Sequence, residues 1–309
     1  MPRIIPCADE SPLELGDVIE ALNCDRFDPA DEDSFAAAAP LLKGLGNNPT
    51  FLTDIAVKEL KDHCSYQTRE NRYSSQVIMI HRASSKYFLR ANFWPSAQDS
   101  VMRSSGTSPF FYHVPHDHNF SFLTVGYLGP GYWSDYYEYE YEDVVGFVGE
   151  KVDLRFTGRS RLDQGKVMLY RAHRDVHNQL PADEMSVSLN IMESSPTQPF
   201  LSQYRFDVDR GEVAGIMTNT SAEALLDIAA HFGDGNARDL LESFARHHPC
   251  DRMQFNALRA LAGAESDLSG KIEMMRRGTS VSNRFVSAMS GYSIARMEEG
   301  RPWIECAVN

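Results

Sequence analysis

The sequence predicts a mainly β fold with helical flanks, one of them a C-terminal helical layer. Between residues 74 and 193 there are about seven or eight short runs rich in β-branched and aromatic residues, with Gly, Pro, Asp or Asn at the breaks. No helical pattern separates these runs, which is typical of antiparallel strands in a sandwich or barrel. The stretches before and after this region have apolar residues at helical spacing instead.

This pattern divides the chain into three segments. Residues 1–73 are expected to be mostly helical, since stretches such as SPLELGDVIEALN begin with a serine cap and continue with helical spacing. Residues 74–205 form the β region, which opens with a hairpin of SSQVIMIHRA and KYFLRANFWP joined by a Ser-Ser turn. Residues 206–309 return to helix, as in TSAEALLDIAAHFG with its cap and closing glycine.

Composition and charge exclude several classes of function. The net charge of −13 argues against nucleic-acid binding, which needs clustered Lys and Arg. No apolar run approaches ~20 residues, so we expect no membrane span. The start of the chain lacks the features of a signal peptide. The five cysteines are odd in number and far apart, which argues against disulfides and favours a reducing, cytoplasmic location.

A cluster of histidines in FFYHVPHDHNFSF is the strongest sign of chemistry. In an extended strand, residues i and i+2 share a face, so His116 and His118 should project side by side while Asp117 points away. Pro115 argues against a helix at this point. Two imidazoles in this arrangement suit a shared metal ion.

A later segment, GKVMLYRAHRDVHNQLP, supplies further potential ligands. In an extended conformation His173, Asp175 and His177 share one face. His173 and His177 would lie ~13 Å apart on such a strand, so one ion reaches only one of them unless the strand bends. Neutral imidazoles without a thiolate suit Fe(II), with Ni, Cu, Zn or Mn as alternatives.

Together these motifs resemble the cupin superfamily, and within it the thiol dioxygenases of the cysteine dioxygenase type. The resembling stretches are an apolar strand ending in Trp, a His-Asp-His segment, a late histidine segment and a closing strand: KYFLRANFW, HDHNFSFLTVGY, GKVMLYRAHRDVH and MSVSLNIM. The resemblance covers about residues 74–195. It implies a cupin-type β-barrel, or double-stranded β-helix, whose mononuclear non-haem Fe(II) activates O2 to oxidise a small-molecule or peptide substrate.

Departures from the cupin motifs define the expected ligand set. The first motif has a Gly before its first His, where this chain has Phe110, and a Glu shortly after its second His, where this chain has Phe122 and Leu123. The missing Glu favours a site of three histidines, which Glu138 or Glu140 from the next strand could still join.

The choice of the third histidine rests on spacing. The second cupin motif places its His at a set distance after a Gly, and counting from Gly165 favours His177 over His173. The expected metal ligands are therefore His116, His118 and His177.

Other residues are candidates for contact with the substrate. Arg82 and Arg90, on the strands before the histidine segment, could each hold a carboxylate through a bidentate pair. In thiol dioxygenases the corresponding Arg lies upstream of the Trp-ending strand, which favours Arg82. Tyr132 follows the Gly129–Gly131 turn in GPGYWSDYY, which we expect at the mouth of the pocket. The alternation of Tyr and Glu over residues 137–142 predicts a strand with one aromatic and one acidic face.

Two other functions remain open from the sequence. An Fe/2-oxoglutarate hydroxylase would use a His-x-Asp pair, for which His173 and Asp175 qualify by spacing. A non-catalytic cupin would bind a metal or ligand, with its helical flanks contacting a protein partner. The oxygenase hypothesis requires a small-molecule or peptide substrate and O2.

Overall fold

The computed structural model describes residues 1–24, 26–74, 76–82 and 86–306, with the side chains of 304–306 excepted. The chain forms two compact units, one of Met1–Tyr141 with Asp153–Gln198 and one of Glu142–Val152 with Pro199–Asn309. The domain boundaries expected after residues 73 and 205 remain a prediction. Across the described ranges, no helix is both long enough and apolar enough to cross a membrane.

After the short strand β1, helices at both ends of the chain flank a central run of strands that one short α-helix interrupts. The strands are β1 Arg3–Ile5, β2 Val77–His81, β3 Tyr87–Trp94, β4 Phe122–Leu128, β5 Trp133–Glu138, β6 Arg155–Arg161, β7 Val167–Tyr170, β8 Asp175–Gln179, β9 Ser186–Glu193, β10 Tyr204–Asp207 and β11 Glu212–Ile216. The helices are α1 Leu15–Leu22, α2 Glu32–Ala37, α3 Ala39–Gly46, α4 Phe51–Lys61, α5 Ser65–Glu70, α6 Ser100–Ser105, α7 Ser221–Phe232, α8 Gly235–His247, α9 Asp251–Gly263, α10 Leu268–Thr279 and α11 Arg284–Cys306. With 42% helix and 23% strand, the chain is mixed, and the expectation of a mainly β chain is too strong.

The first unit contains two antiparallel sheets. Six strands pair in the order β1-β7-β4-β9-β3-β2, and three pair in the order β6-β5-β8. The predicted pairing of β2 with β3 is present, while the Ser-Ser turn of that hairpin falls outside the described residues. Closure of the two sheets into a cupin barrel remains a prediction.

One face of the six-stranded sheet is covered by the N-terminal helices. Alternate residues of its strands, such as Leu89, Leu123 and Leu189, pack in one core with Val18 of α1 and Leu42 of α3. The period-two alternation of strands sends their neighbours to the opposite face.

That opposite face looks toward the small sheet. Phe88, Phe122 and Met192 share a second core with Tyr136 of β5 and Tyr170 of β7. The space between the two sheets is therefore filled largely by aromatic side chains, and the histidine segments lie next to it.

The second unit is helical apart from the β10–β11 pair. Its core combines residues of successive helices, including Leu226, Leu241, Leu258, Met275 and Phe285. From Ser221 onward the chain has the helical character predicted for residues 206–309, whereas β11, which also lies in that segment, is a strand. Of the cysteines, Cys7, Cys24, Cys64 and Cys250 are free, and the side chain of Cys306 lies outside the described residues.

Candidate metal centre

The His116–His118 segment lies just before β4 and is not part of a regular strand, contrary to the sequence prediction. It is held by one antiparallel bridge, in which His116 N donates to His177 O at 3.1 Å and His177 N donates to His116 O at 2.9 Å. The expected alternation still holds locally. The rings of His116 and His118 have centroids 4.9 Å apart, whereas Asp117 accepts a hydrogen bond from Tyr139 at 2.6 Å.

The third imidazole comes from β8. Nε2 of His177 lies 3.1 Å from Nε2 of His118 and 3.2 Å from Nε2 of His116. All three side chains are buried, and their ligand atoms lie within 4.8 Å of one another. Among the described residues this is the one group of three or more His, Cys, Asp or Glu side chains with such spacing.

The protonation state of the group suits a metal. Nδ1 of His116 lies 2.7 Å from the carbonyl oxygen of Val114. Because a carbonyl only accepts, Nδ1 carries the proton and Nε2 of the neutral ring keeps its lone pair. Burial lowers the pKa of His116, and it lowers the pKa values of His118 and His177 well below the usual range. Neutral imidazole is the form that binds metal ions.

His173 lies outside this group. The prediction that it shares a strand face with His177 is wrong, because His173 occupies a turn before β8 with a φ of 56°. Its ring packs on Tyr141, and its Nδ1 lies 3.8 Å from Asp117. Asp175, the other member of the His-x-Asp pair, is held by Arg171 through hydrogen bonds of 2.7 and 2.9 Å.

The acidic side chains considered as a fourth ligand are engaged elsewhere. Glu138 accepts a hydrogen bond from Arg171 at 2.8 Å, and Glu140 accepts one from Arg155 at 2.7 Å. The predicted strand over residues 137–142 is wrong beyond Glu138, where β5 ends. A short 3-10 helix over Tyr141–Asp143 follows.

The two candidate arginines differ in position. Arg82 is exposed and lies over the ring of Phe88 at 5.8 Å. Arg90 points to the space between the sheets, 4.9 Å from the ring centroid of Tyr73, and its Nε is buried without a hydrogen bond to the described residues. Burial is the main cause that lowers the pKa of His118, and the nearby Arg90 guanidinium contributes to that shift.

Tyr132 is buried, whereas the sequence suggested a position at the pocket mouth. Its ring lies 4.7 Å from that of Trp94. Tyr136 and Tyr170 have hydroxyls 2.8 Å apart, and the Tyr170 ring lies 5.1 Å from His177. The sequence reasoning missed Trp94, Tyr136 and Tyr170 as site residues. Tyr170, which ends β7 just before the second histidine segment, carried such a signal, whereas Tyr136 did not, because it lies in the opposite phase to the alternation of Tyr and Glu.

No protein-family model and no curated protein matches this sequence. Several solved structures show weak similarity. Hydroquinone 1,2-dioxygenase PnpCD, solved with Cd2+ and 4-hydroxybenzonitrile, is 12% identical, with 42% of this chain and 71% of that chain covered and a TM-score of 0.25. Hydroquinone 1,2-dioxygenase from Sphingomonas sp. TTNP3, with 4-hydroxybenzoate bound, is 8% identical over 42% and 72%, with a TM-score of 0.27.

The DMSP lyase DddQ from Ruegeria pomeroyi is 10% identical, with 63% of this chain and 79% of that chain covered and a TM-score of 0.25. TM-scores this low do not establish a shared fold. What is established for this chain is a group of three buried histidines, arranged as metal ligands are, beside antiparallel sheets.

Proposed function

We propose that this protein is a metal-dependent oxygenase in which His116, His118 and His177 bind Fe(II), and that it oxidises a small anionic molecule. The convergence of three buried Nε2 atoms is the observation that carries the proposal. Three neutral nitrogen donors favour Fe(II), with Ni, Cu, Zn or Mn as alternatives.

The distances fit one shared ion. Two imidazoles that bind an ion at ~2.1 Å, with an angle of ~90–110° between them, have their nitrogens ~3.0–3.4 Å apart. The separations of 3.1 and 3.2 Å fall in that range. A purely hydrogen-bonded trio fits less well, because three Nε2 atoms meet and that of neutral His116 has no proton to share.

The surrounding residues would bind and orient the substrate. When bound, Fe(II) on three protein ligands supplies open positions for substrate and O2 and the electrons for O2 activation. Arg90 offers a guanidinium whose Nε has no partner among the described residues, which suits the anionic group of a substrate.

The tyrosines beside the histidines would act as hydrogen-bond donors. Burial raises the pKa of Tyr136 to about 12, so its hydroxyl keeps its proton at neutral pH and can donate through Tyr170 toward a bound group. The buried rings of Trp94, Tyr132 and Phe122 would exclude water from that group.

Metal analysis of protein purified under nitrogen tests the proposal first. We expect about one iron per chain, followed by O2 uptake when a screen of small carboxylates includes the substrate. Binding of metal without O2 uptake for any compound would favour the non-catalytic metal-binding alternative. Production of succinate from 2-oxoglutarate would identify the hydroxylase instead.

The two arginines provide a matched pair for the anion-binding role. Arg90→Gln is expected to keep its iron and to raise KM for the substrate by about 100-fold, because a charge-assisted contact is worth ~1.5–3 kcal/mol. The exposed Arg82→Gln serves as the comparison. If Arg82→Gln impairs uptake and Arg90→Gln does not, the role moves to Arg82.

A further inference from the structure

Several buried polar atoms between the two sheets have no hydrogen-bond partner among the described residues. Three lie on the six-stranded sheet and one on the facing sheet: Arg90 Nε, Asn92 Oδ1, Asn190 Oδ1 and Gln179 Nε2. The side chains of Asn92, Asn190 and Gln179 are each at most 5% exposed. An unpaired buried polar group costs ~1–3 kcal/mol, so a molecule that pairs with these atoms would gain that free energy.

These side chains lie close together and close to the histidines. Asn190 is directly opposite Arg90 in the β3–β9 register, and Asn92 follows Arg90 on the same face of β3. Asn190 is also opposite Thr124, two residues after Phe122, whose ring centroid is 5.0 Å from that of His118. Two residues of strand span ~7 Å, so this polar surface begins within reach of a small ligand at the histidines.

The side-chain oxygens of Asn92 and Asn190, two residues that we call the amide pair, have no hydrogen-bond partner among the described residues. The Asn190 Nδ2 group donates to Thr124 Oγ1 at 2.7 Å, which leaves its oxygen open. Ser188, opposite Asn92, accepts instead from Trp94 Nε1 at 2.9 Å. A ligand group placed at the amide pair would therefore need to donate a hydrogen bond.

We propose that the substrate is a hydroxy acid, whose anionic group pairs with Arg90 and whose hydroxyl donates to one oxygen of the amide pair. This inference rests on the proposed function and names its substrate class. A hydroxyl both donates and accepts, so it also suits the Gln179 Nε2 donor, which lies two residues after His177 on the same face of β8. Asn92 and Asn190 would then be specificity-determining residues of the site.

An amino acid fits this surface less well because its ammonium would lie beside the Arg90 guanidinium without a counter-charge. In the described part of the chain the buried carboxylates are Asp117, Asp175 and Glu150. Asp117 accepts from Tyr139, and Asp175 pairs with Arg171. Glu150 belongs to the other unit and accepts from backbone N–H groups there. A neutral donor avoids the cost of an unpaired buried charge.

Calorimetric titration of the Zn2+-loaded full chain with matched ligands tests this inference. The ligands are lactate, alanine and propionate, together with 3-phenyllactate, phenylalanine and 3-phenylpropionate. We expect the hydroxy acid of at least one series to bind ~10-fold or more tightly than its deoxy and amino counterparts, since a site with buried polar groups discriminates against a ligand lacking their partner. Equal binding of the deoxy acid, tightest binding of the amino acid, or binding of none of the six would overturn the inference.

Variants locate the effect. Asn190→Leu is expected to reduce the hydroxy-over-deoxy preference to about twofold or less while leaving binding of the deoxy acid intact. Asn178→Leu is the matched control, because Asn178 follows His177 on β8 and points to the other face of that strand. A preference that survives in Asn190→Leu and in Asn92→Leu, both folded by circular dichroism, would remove the amide pair from the site. Zn2+ does not activate O2, so the titration measures substrate binding independently of oxygenase activity. A protein that prefers hydroxy acids but whose iron form never consumes O2 would retain this inference and lose the proposed oxygenase function.

Discussion

His173 and His177 are close in sequence but differ in what their side chains reach. His177 Nε2 meets the other two imidazoles, while His173 packs against Tyr141 in a turn. We predict that His177→Ala loses nearly all bound iron because two donors cannot hold the ion. His173→Asn should keep its iron, with at most a ~10–100-fold loss of affinity if it supports Asp117 indirectly. Metal content of the anaerobically purified variants measures both effects.

Asn is the suitable replacement for His173 because of the backbone conformation at this position. Its φ of 56° disfavours most residues, and Asn tolerates that conformation better than Ala. The comparison therefore isolates the ring from the backbone. Iron retained in His177→Ala and lost in His173→Asn would reassign the third ligand to His173.

The sequence could identify the histidines but not the walls of the site. His116 and His118 stand out because their i, i+2 spacing has few explanations other than a shared face. Tyr136 does not stand out, since the alternation of Tyr and Glu drew attention to Tyr137 in the opposite phase. Which face of a strand is buried depends on the elements that pack against it, and these elements come from residues far away in the sequence.

Among the elements, the turn over Gly129–Gly131 sets the position of Tyr132. Gly131 has a φ of 82°, and a Cβ there would collide with the carbonyl oxygen of Leu162. We predict that Gly131→Ala lowers the free energy of unfolding by about 2–4 kcal/mol, measured by chemical denaturation, because strain and collision add. Gly16→Ala in α1 is the control: nothing lies within 4 Å of its added Cβ, so we expect no loss of stability. Equal stability of Gly131→Ala and the wild type would contradict the prediction.

Element predictions succeeded where the pattern was long and failed where it was short. The helices of the C-terminal segment and the β2–β3 pair were foreseen from their apolar spacing. The strand β1, three residues long, was missed because so few positions cannot show an alternation, yet it pairs with β7 at the edge of the larger sheet. The His116–His118 segment was predicted as strand but is held by a single bridge, since its partners are set by tertiary contacts.

On the scale of the whole molecule, a bound ion would tie together parts of the chain that are 61 residues apart. We predict that chelation lowers the unfolding temperature of the unit holding the histidines by about 5–10 °C, because an ion at 100 times its Kd contributes ~2.7 kcal/mol to the folded state. Differential scanning calorimetry with and without a chelator measures the shift. The His177→Ala variant should show no shift, and an equal shift in that variant would point to a different metal site.

The mutual backbone hydrogen bonds of His116 and His177 have a consequence for how an ion would be taken up. The same two residues that offer their rings also fasten their main chains together, so the segments are ordered before any ion arrives. The entropic cost of bringing the distant donors together is then part of folding and not of ion binding. Association would bury little further apolar surface and would proceed with a heat-capacity change near zero. Its speed would be governed by how quickly the ion sheds its own water, and not by rearrangement of the polypeptide.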